Sequence, residues 1–253
     1  MSELLDTIRN AGAPFGLNLV AATAVERYDA SITSGHRASE LAPGARSIVL
    51  VGNGGGSLWA ALKRHAERNP GWWEREHPLD EFTRVIVEGS IAAPIRASGA
   101  RCVVVYPFVH DSRTLNFVQL ARVAGLTGPS IIGVSLHPQF GPWIAFRAAL
   151  LVDELIDSPG PAINFDPCPT CTSRSCIKAC PVNAVSIERG WDIPKCLTHR
   201  VEVERDCISR CHARVACVIG PDHIYPDDEL AYHQTRSLRA MRPWYEANIK
   251  KST

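Results

Sequence analysis

The sequence predicts a mixed α+β chain, an N-terminal domain of strands and helices followed by a cysteine-rich module. Three observations carry that prediction. Short β-branched runs alternate with helical periods over the first two-thirds. A polar, Pro-bearing stretch, residues 157–167, then interrupts the pattern and reads as a linker. Eight of the nine cysteines follow it, between Cys168 and Cys217. The expected domains are 1–157 and 158–253.

The elements follow in order. Residues 46–51 (RSIVLV) read as a strand, and the glycine-rich residues 52–56 as the turn after it. Ser57 is placed to cap a helix over 58–68 that buries Trp59, Leu62 and Ala66, and Asn69-Pro70-Gly71 stops it. Residues 80–97 read as a helix burying Phe82, Ile86 and Ile91. Residues 101–108 read as a strand, and 115–124 as a helix ended by Gly125. Two apolar runs, 131–136 and 146–152, are strands or buried helix. The polar residues 227–247 suggest a helical tail.

Composition is that of an ordinary soluble protein, 45% hydrophobic and 21% charged, with a net charge of +1. No basic excess points to nucleic acid. No run reaches membrane-spanning length without a charge or breaker. Glu3 and Asp6 stand where a signal peptide would carry basic residues, so a cytoplasmic protein is expected. Thiols stay reduced there, which favours metal over disulfides for a cysteine cluster. Cys102, alone in the run Cys102-Val-Val-Val-Tyr106, reads as a small buried hydrophobe.

The strongest signal is Cys168-Pro-Thr-Cys171, then Cys176, then Cys180-Pro181. The bacterial ferredoxin pattern is CxxCxxCxxxCP, whose last cysteine ligates the other cluster. Here the second gap is four residues instead of two, which demands a bulged loop. Cys196, Cys207, Cys211 and Cys217 follow. Crossed as in ferredoxins, Cys168, Cys171, Cys176 and Cys217 would hold one [4Fe-4S] cluster. Cys180, Cys196, Cys207 and Cys211 would hold the other. The count argues for two clusters, and a single cluster stays open. Zinc sites usually pair two CxxC units, and one occurs here. Arg174, Lys178, Arg205, Arg210 and Arg214 are either counter-charges or a solvated face. Residues 52–56 match neither a P-loop nor a complete GxGxxG. Of His199, His212, His223 and His233, His212 directly follows a cysteine.

The segment Leu136-His-Pro-Gln-Phe-Gly-Pro-Trp-Ile-Ala-Phe-Arg147 resembles the HPxFGxWxAxRG segment of the cobalamin-trafficking decyanase and dealkylase family. It also resembles the loop before the ferredoxin module of epoxyqueuosine reductases and reductive dehalogenases. Residues 116–128 are similar to a helix and loop of those reductases, as is the sixteen-residue step from Cys180 to Cys196. The resemblance spans residues 40–220. It implies a nitroreductase-like α/β sandwich that binds cobalamin, with a C-terminal ferredoxin-like module feeding it electrons. His137, Phe140, Gly141, Trp143 and Arg147 would then line or support the corrinoid site. Pro142 departs from the decyanase pattern, which has Gly there. No acidic catalytic residue is matched, so the tRNA substrate is not carried over. The expected protein is a cobalamin-dependent or cobalamin-reducing oxidoreductase, served by a reduced ferredoxin or flavodoxin-type donor. An electron carrier, a corrinoid chaperone and a flavin in place of the corrinoid stay open.

Overall fold

The computed structural model describes residues 3–33, 35–109, 114–160, 162, 164–203 and 207–250. The chain forms two compact units. The first comprises Met1–Gly128 and Ile144–Asn164, the second Pro129–Trp143 and Phe165–Thr253. The chain thus leaves the first unit at residue 128, contributes fifteen residues to the second, and returns for a strand.

The first unit is built on a four-stranded antiparallel sheet in the order β1-β2-β4-β3. Its strands are β1 (Leu19–Ala24), β2 (Ser47–Gly54), β3 (Cys102–Val105) and β4 (Ile144–Val152). All eight residues of β2 are buried, so both faces of this central strand are covered. Its Ile-Val-Leu-Val run suits a pleated, two-sided core position. The antiparallel sheet with flanking helices bears out the α+β expectation.

Several local expectations need correction. The glycines at 52 and 54 belong to β2, and the turn is confined to Gly55 and Gly56. Gly52 is needed in the strand because a Cβ there would lie 2.6 Å from the Ala145 carbonyl oxygen. The helix Ser57–Arg68 begins at Gly56, with no side-chain cap. The Ser57 hydroxyl turns away and donates to the Gly16 carbonyl at 3.1 Å. The predicted strand at 101–108 shortens to β3. The run at 131–136 is neither strand nor helix. Strand β1 and the helix Glu3–Gly12 were not expected at all.

The helix expected over 80–97 is a rod with a π-helical centre, made of Pro78–Ile86, Val87–Ala92 and Ala93–Ala97. Pro94 has no N–H to return to the preceding turn, and a wider register tolerates that loss. Phe82, Ile86 and Ile91 are buried, as their spacing predicts.

The second unit has little regular structure around its cysteines. It contains the helices Ser175–Ala179, Ile193–Glu202 and His212–Val215, and a hairpin of β5 (Val185–Ser186) and β6 (Gly190–Trp191). The long helix Asp227–Asn248 ends it, matching the predicted tail. One apolar nucleus is Ile132, Val185 and Ala213, against which Ile177, Cys176, Cys180 and Cys211 pack. A second is Trp143, Tyr225 and Leu230. Among the described residues, no helix is long and apolar enough to cross a membrane.

Candidate metal centres

Cys168, Cys171, Cys176 and Cys217 line one cavity, with Ile131 and Leu136 in its wall. CxxC is a tight turn in which the Cys171 N–H reaches the Cys168 carbonyl, at 3.3 Å. Cys176 lies on the short helix Ser175–Ala179. Cys217 comes from beyond the helix His212–Val215. Burial pushes the Cys176 thiol up, and the nearby Cys217, Cys168 and Cys171 add to it. Burial also raises Cys217, opposed by the Ile219 N–H that donates to it and reinforced by Cys168 and Cys171.

Cys180, Cys196, Cys207 and Cys211 form a second set. Asp192 caps the helix Ile193–Glu202 by accepting from the Lys195 N–H at 3.0 Å, which puts Cys196 on its first turn. Burial raises the Cys196 thiol against a hydrogen bond from the Trp191 side chain, with Cys211 and Cys180 close by. Cys207 is pushed up to about 11 by burial and then by Cys211, Cys196 and Cys180. The cysteines whose charge raises Cys176 and Cys217, and those that raise Cys196 and Cys207, fall within the set of the thiol they act on.

Among the described residues, no group of three or more His, Cys, Asp or Glu converges to hold a single metal ion. The first quartet instead surrounds a space. A mononuclear zinc draws its donors to within about 2.0–2.3 Å of one point. A four-iron cube spreads its four thiolates over separate corners. Half-buried thiols that repel one another's charge become thiolates most readily around a cationic group. Donor type, number and arrangement in the first quartet therefore fit a cubane cluster.

The loops that present the cysteines are strained and tied down. Arg174, Asn183 and Cys207 are the described non-glycine residues with positive φ, at 52°, 51° and 48°. All three lie among the cysteines. Such conformations cost about 1–2 kcal/mol each and persist where surroundings impose them. The Ala184 N–H donates to Cys180 Sγ at 3.2 Å. Gln234, on the long helix, donates to the Cys207 carbonyl at 3.0 Å. Arg200, buried beneath, donates to the Gln234 carbonyl at 2.8 Å. Sequence reading missed Gln234 and Arg200, because a polar residue in a polar helix carries no signal of its partner.

His137, Phe140, Gly141 and Trp143 lie in the second unit, beside the cysteine loops. His137 and Gly141 exchange backbone hydrogen bonds at 2.9 and 2.8 Å. His137 Nδ1 accepts from the Gln139 and Phe140 N–H groups, at 3.1 and 3.2 Å. Burial, then the nearby His223, lower the His137 pKa to about 4. Gly141, with φ of 58°, packs on the chain just after Cys217. A Cβ there would lie 2.6 Å from the Ile219 carbonyl carbon and closer still to its oxygen. Trp143 is fully buried. Arg214 lies 4.7 Å over its ring and donates to the Pro142 carbonyl, at 2.6 and 3.2 Å. Four of the five motif residues thus brace the last cysteine loop.

Arg147 lies in the first unit. Val51 pairs with Ala148 and Gly52 with Phe146, so Arg147 is the extra residue of a β-bulge. Its side chain is buried, and Nε donates to the buried Asn53 Oδ1 at 2.8 Å. Its Nη2 is buried with no hydrogen-bond partner among the described residues. A buried guanidinium with a spare donor fits a ligand bearing an acceptor.

Other candidates resolve plainly. Arg210 pairs with Asp227 at 3.2 Å. Arg205 lies outside the described residues. The His212 N–H donates to Cys207. His223 packs against Phe140 with the rings tilted by 56° and their centroids 4.5 Å apart. His233 approaches Glu229 at 3.6 Å. Cys102 is buried, and desolvation first of all pushes its thiol up to about 11, as expected of an inert core residue.

No protein-family model matches the chain, and no curated protein matches it in sequence. Solved structures do match in fold. A B12-trafficking protein CblC from C. elegans, a homologue of human MMACHC, aligns with a TM-score of 0.58 and 12% identity. The alignment covers 95% of this chain and 96% of that one. Epoxyqueuosine reductase from Streptococcus thermophilus aligns with a TM-score of 0.52 and 11% identity, over 89% of this chain and 68% of the reductase. The catabolic reductive dehalogenase NpRdhA aligns with a TM-score of 0.53 and 18% identity. That alignment covers 97% of this chain and 37% of the dehalogenase, so the chain spans little more than a third of its length. The chain shares the fold of a B12-trafficking protein, an epoxyqueuosine reductase and a reductive dehalogenase.

Proposed function

We propose that this chain is an iron–sulfur oxidoreductase that binds a corrinoid in a nitroreductase-like first unit and reduces it through a ferredoxin-like second unit. The observation that carries this reading is the cavity that Cys168, Cys171, Cys176 and Cys217 line together. The fold shared with a B12-trafficking protein and two reductases supports the corrinoid half. Cys168, Cys171, Cys176 and Cys217 would hold one [4Fe-4S] cluster, and Cys180, Cys196, Cys207 and Cys211 the other. When bound, the clusters supply single electrons and the corrinoid supplies a metal centre that accepts them.

The chain's own residues bind, hold and shield. The thiols are half-buried, with the apolar Ile131 and Leu136 in the wall of the first cavity and Ile132 in the cluster against which Cys176, Cys180 and Cys211 pack. N–H groups of Ile219 and His212, and of Ala184 at 3.2 Å from Cys180, offset thiolate charge and so favour the reduced state. Arg147 offers Nη2 to an acceptor on the corrinoid. A reduced ferredoxin or flavodoxin-type protein would supply the electrons. The corrinoid, when bound, would supply the reducible metal for reductive processing of the corrinoid itself or of a substrate.

The test is anaerobic iron and sulfide analysis with visible spectra, followed by titration with hydroxocobalamin under dithionite. About eight irons and a base-off, reducible cobalamin support the reading. Bound cobalamin whose upper ligand survives reduction indicates a chaperone. Clusters without corrinoid affinity indicate a carrier or a flavin-type reductase.

A further inference from the structure

Four residues, Thr172 to Ser175, separate Cys171 from Cys176, where the ferredoxin pattern has two. Arg174 adopts φ 52° and ψ 24°, a conformation that bulky L-residues avoid, directly before the helix Ser175–Ala179. The guanidinium bridges the loop. Nη1 donates to the Cys168 carbonyl at 2.8 Å, and Nη2 donates to the Pro169 carbonyl at 3.0 Å. Both carbonyls belong to the CxxC turn. Arg174 also lines the cavity of the first quartet. Its charge is matched by no carboxylate among the described residues, whereas Arg210 pairs with Asp227 at 3.2 Å. Arg214 is occupied by Pro142 and two rings.

We infer that Arg174 is a positioning residue, which locks the CxxC turn to the Cys176 helix and raises the reduction potential of the first cluster. This rests on the cluster reading above. The two roles have separable origins. The lock needs a planar fork that reaches two carbonyls at once, which an ammonium does not reproduce. The potential needs only a cation near the cavity, since reduction adds negative charge there.

The experiment uses the whole chain, purified anaerobically, with Arg174→Gln and Arg174→Lys. Midpoint potentials are read by EPR-monitored titration, and iron release by a chelator assay. In Arg174→Gln, one of the two signals should move negative and the other stay fixed. The expected shift is a tenfold fall in the reduced-to-oxidised ratio at fixed potential, about 59 mV for one electron. Arg174→Lys should keep the midpoint but release iron several-fold faster. If Arg174→Gln fails to load iron, Arg174→Lys carries the test alone. Variants that match the iron-loaded wild type in both readouts overturn the inference and leave the clusters standing. A wild type without iron overturns the cluster reading, and this inference with it.

Discussion

Replacing Gly141 by alanine should damage the cysteine module although no ligand is touched. The residue has φ of 58°, so a Cβ costs about 1–2 kcal/mol in backbone strain alone. That Cβ would also lie 2.6 Å from the Ile219 carbonyl carbon, a backbone group with no rotamer to yield. Overpacking of this kind costs typically about 1–3 kcal/mol. Separation would strain the two reciprocal hydrogen bonds to His137, each worth about 1 kcal/mol. Strain, overpacking and the two weakened bonds together come to about 2–7 kcal/mol, a large part of a domain's stability of about 5–15 kcal/mol. The damage is directed, because the Ile219 N–H donates to the Cys217 thiol. Pushing Ile219 away removes that bond and loosens one corner of the first quartet. Gly99→Ala is the control. Its φ is 91°, but a Cβ there meets nothing within 4 Å, so only the strain of about 1–2 kcal/mol applies. The assays are denaturant unfolding and iron content of the anaerobic protein. Equal losses in the two variants, with full iron in Gly141→Ala, would refute the reasoning.

Three further outcomes are expected. Cys176→Ala and Cys196→Ala should each lose about four irons. Pairing Cys176→Ala with Cys217→Ala should lose no more than either alone, whereas pairing it with Cys196→Ala should empty the protein; additive loss within a quartet would break the partition. His137 is held neutral in the fold, with its pKa lowered from 6.5 to about 4, so the unfolded chain binds the extra proton first. Stability should be complete above about pH 6.5, fall between 6.5 and 4, and lose no more below. The shift bounds the loss at about 3 kcal/mol, and screening of the half-buried ring reduces it to about 1–2 kcal/mol. A His137→Gln variant with an unchanged acid limb in urea melts would count against this. Arg147→Met should cost about 1–3 kcal/mol by leaving the buried Asn53 Oδ1 without its donor, and should weaken cobalamin retention. Cobalamin titration and thermal melts would show whether both effects occur.

The elements legible in the sequence are those whose signal is their own. β2 announces itself through Ile48 to Val51, and the rod from Pro78 to Ala97 through the spacing of Phe82, Ile86 and Ile91. β1 was illegible because Leu-Val-Ala-Ala-Thr-Ala is half alanine, a poor strand former. Its pairing with β2 supplies what propensity lacks. The run at 131–136 misled for the opposite reason. Its Ile131, Ile132 and Leu136 are apolar because they cover cysteines, and apolarity reports burial without reporting the element. The cysteine region was legible because CxxC and CxxxCP stand together in sequence, and the ferredoxin pattern supplies the crossing of ligands that the spacing alone does not. The fork of Arg174 was not legible. Only its cause showed, as two residues too many between Cys171 and Cys176.

The motif from His137 to Arg147 carries the deepest consequence for how the chain works. Read as sequence, it is one segment with one task. In the fold, its first part braces the loop after Cys217, through Gly141 on Ile219 and Trp143 under Arg214. Its last part is β4, where the bulge turns Arg147 inward to Asn53. Seven residues therefore join the packing of a cysteine quartet to a buried guanidinium with a spare donor. A substitution at Gly141 and one at Arg147 should consequently fail differently, the first through iron and the second through corrinoid. Such a split is what the proposed function requires, in which one unit would deliver electrons and the other receive them. A motif serving one pocket would lose both functions together.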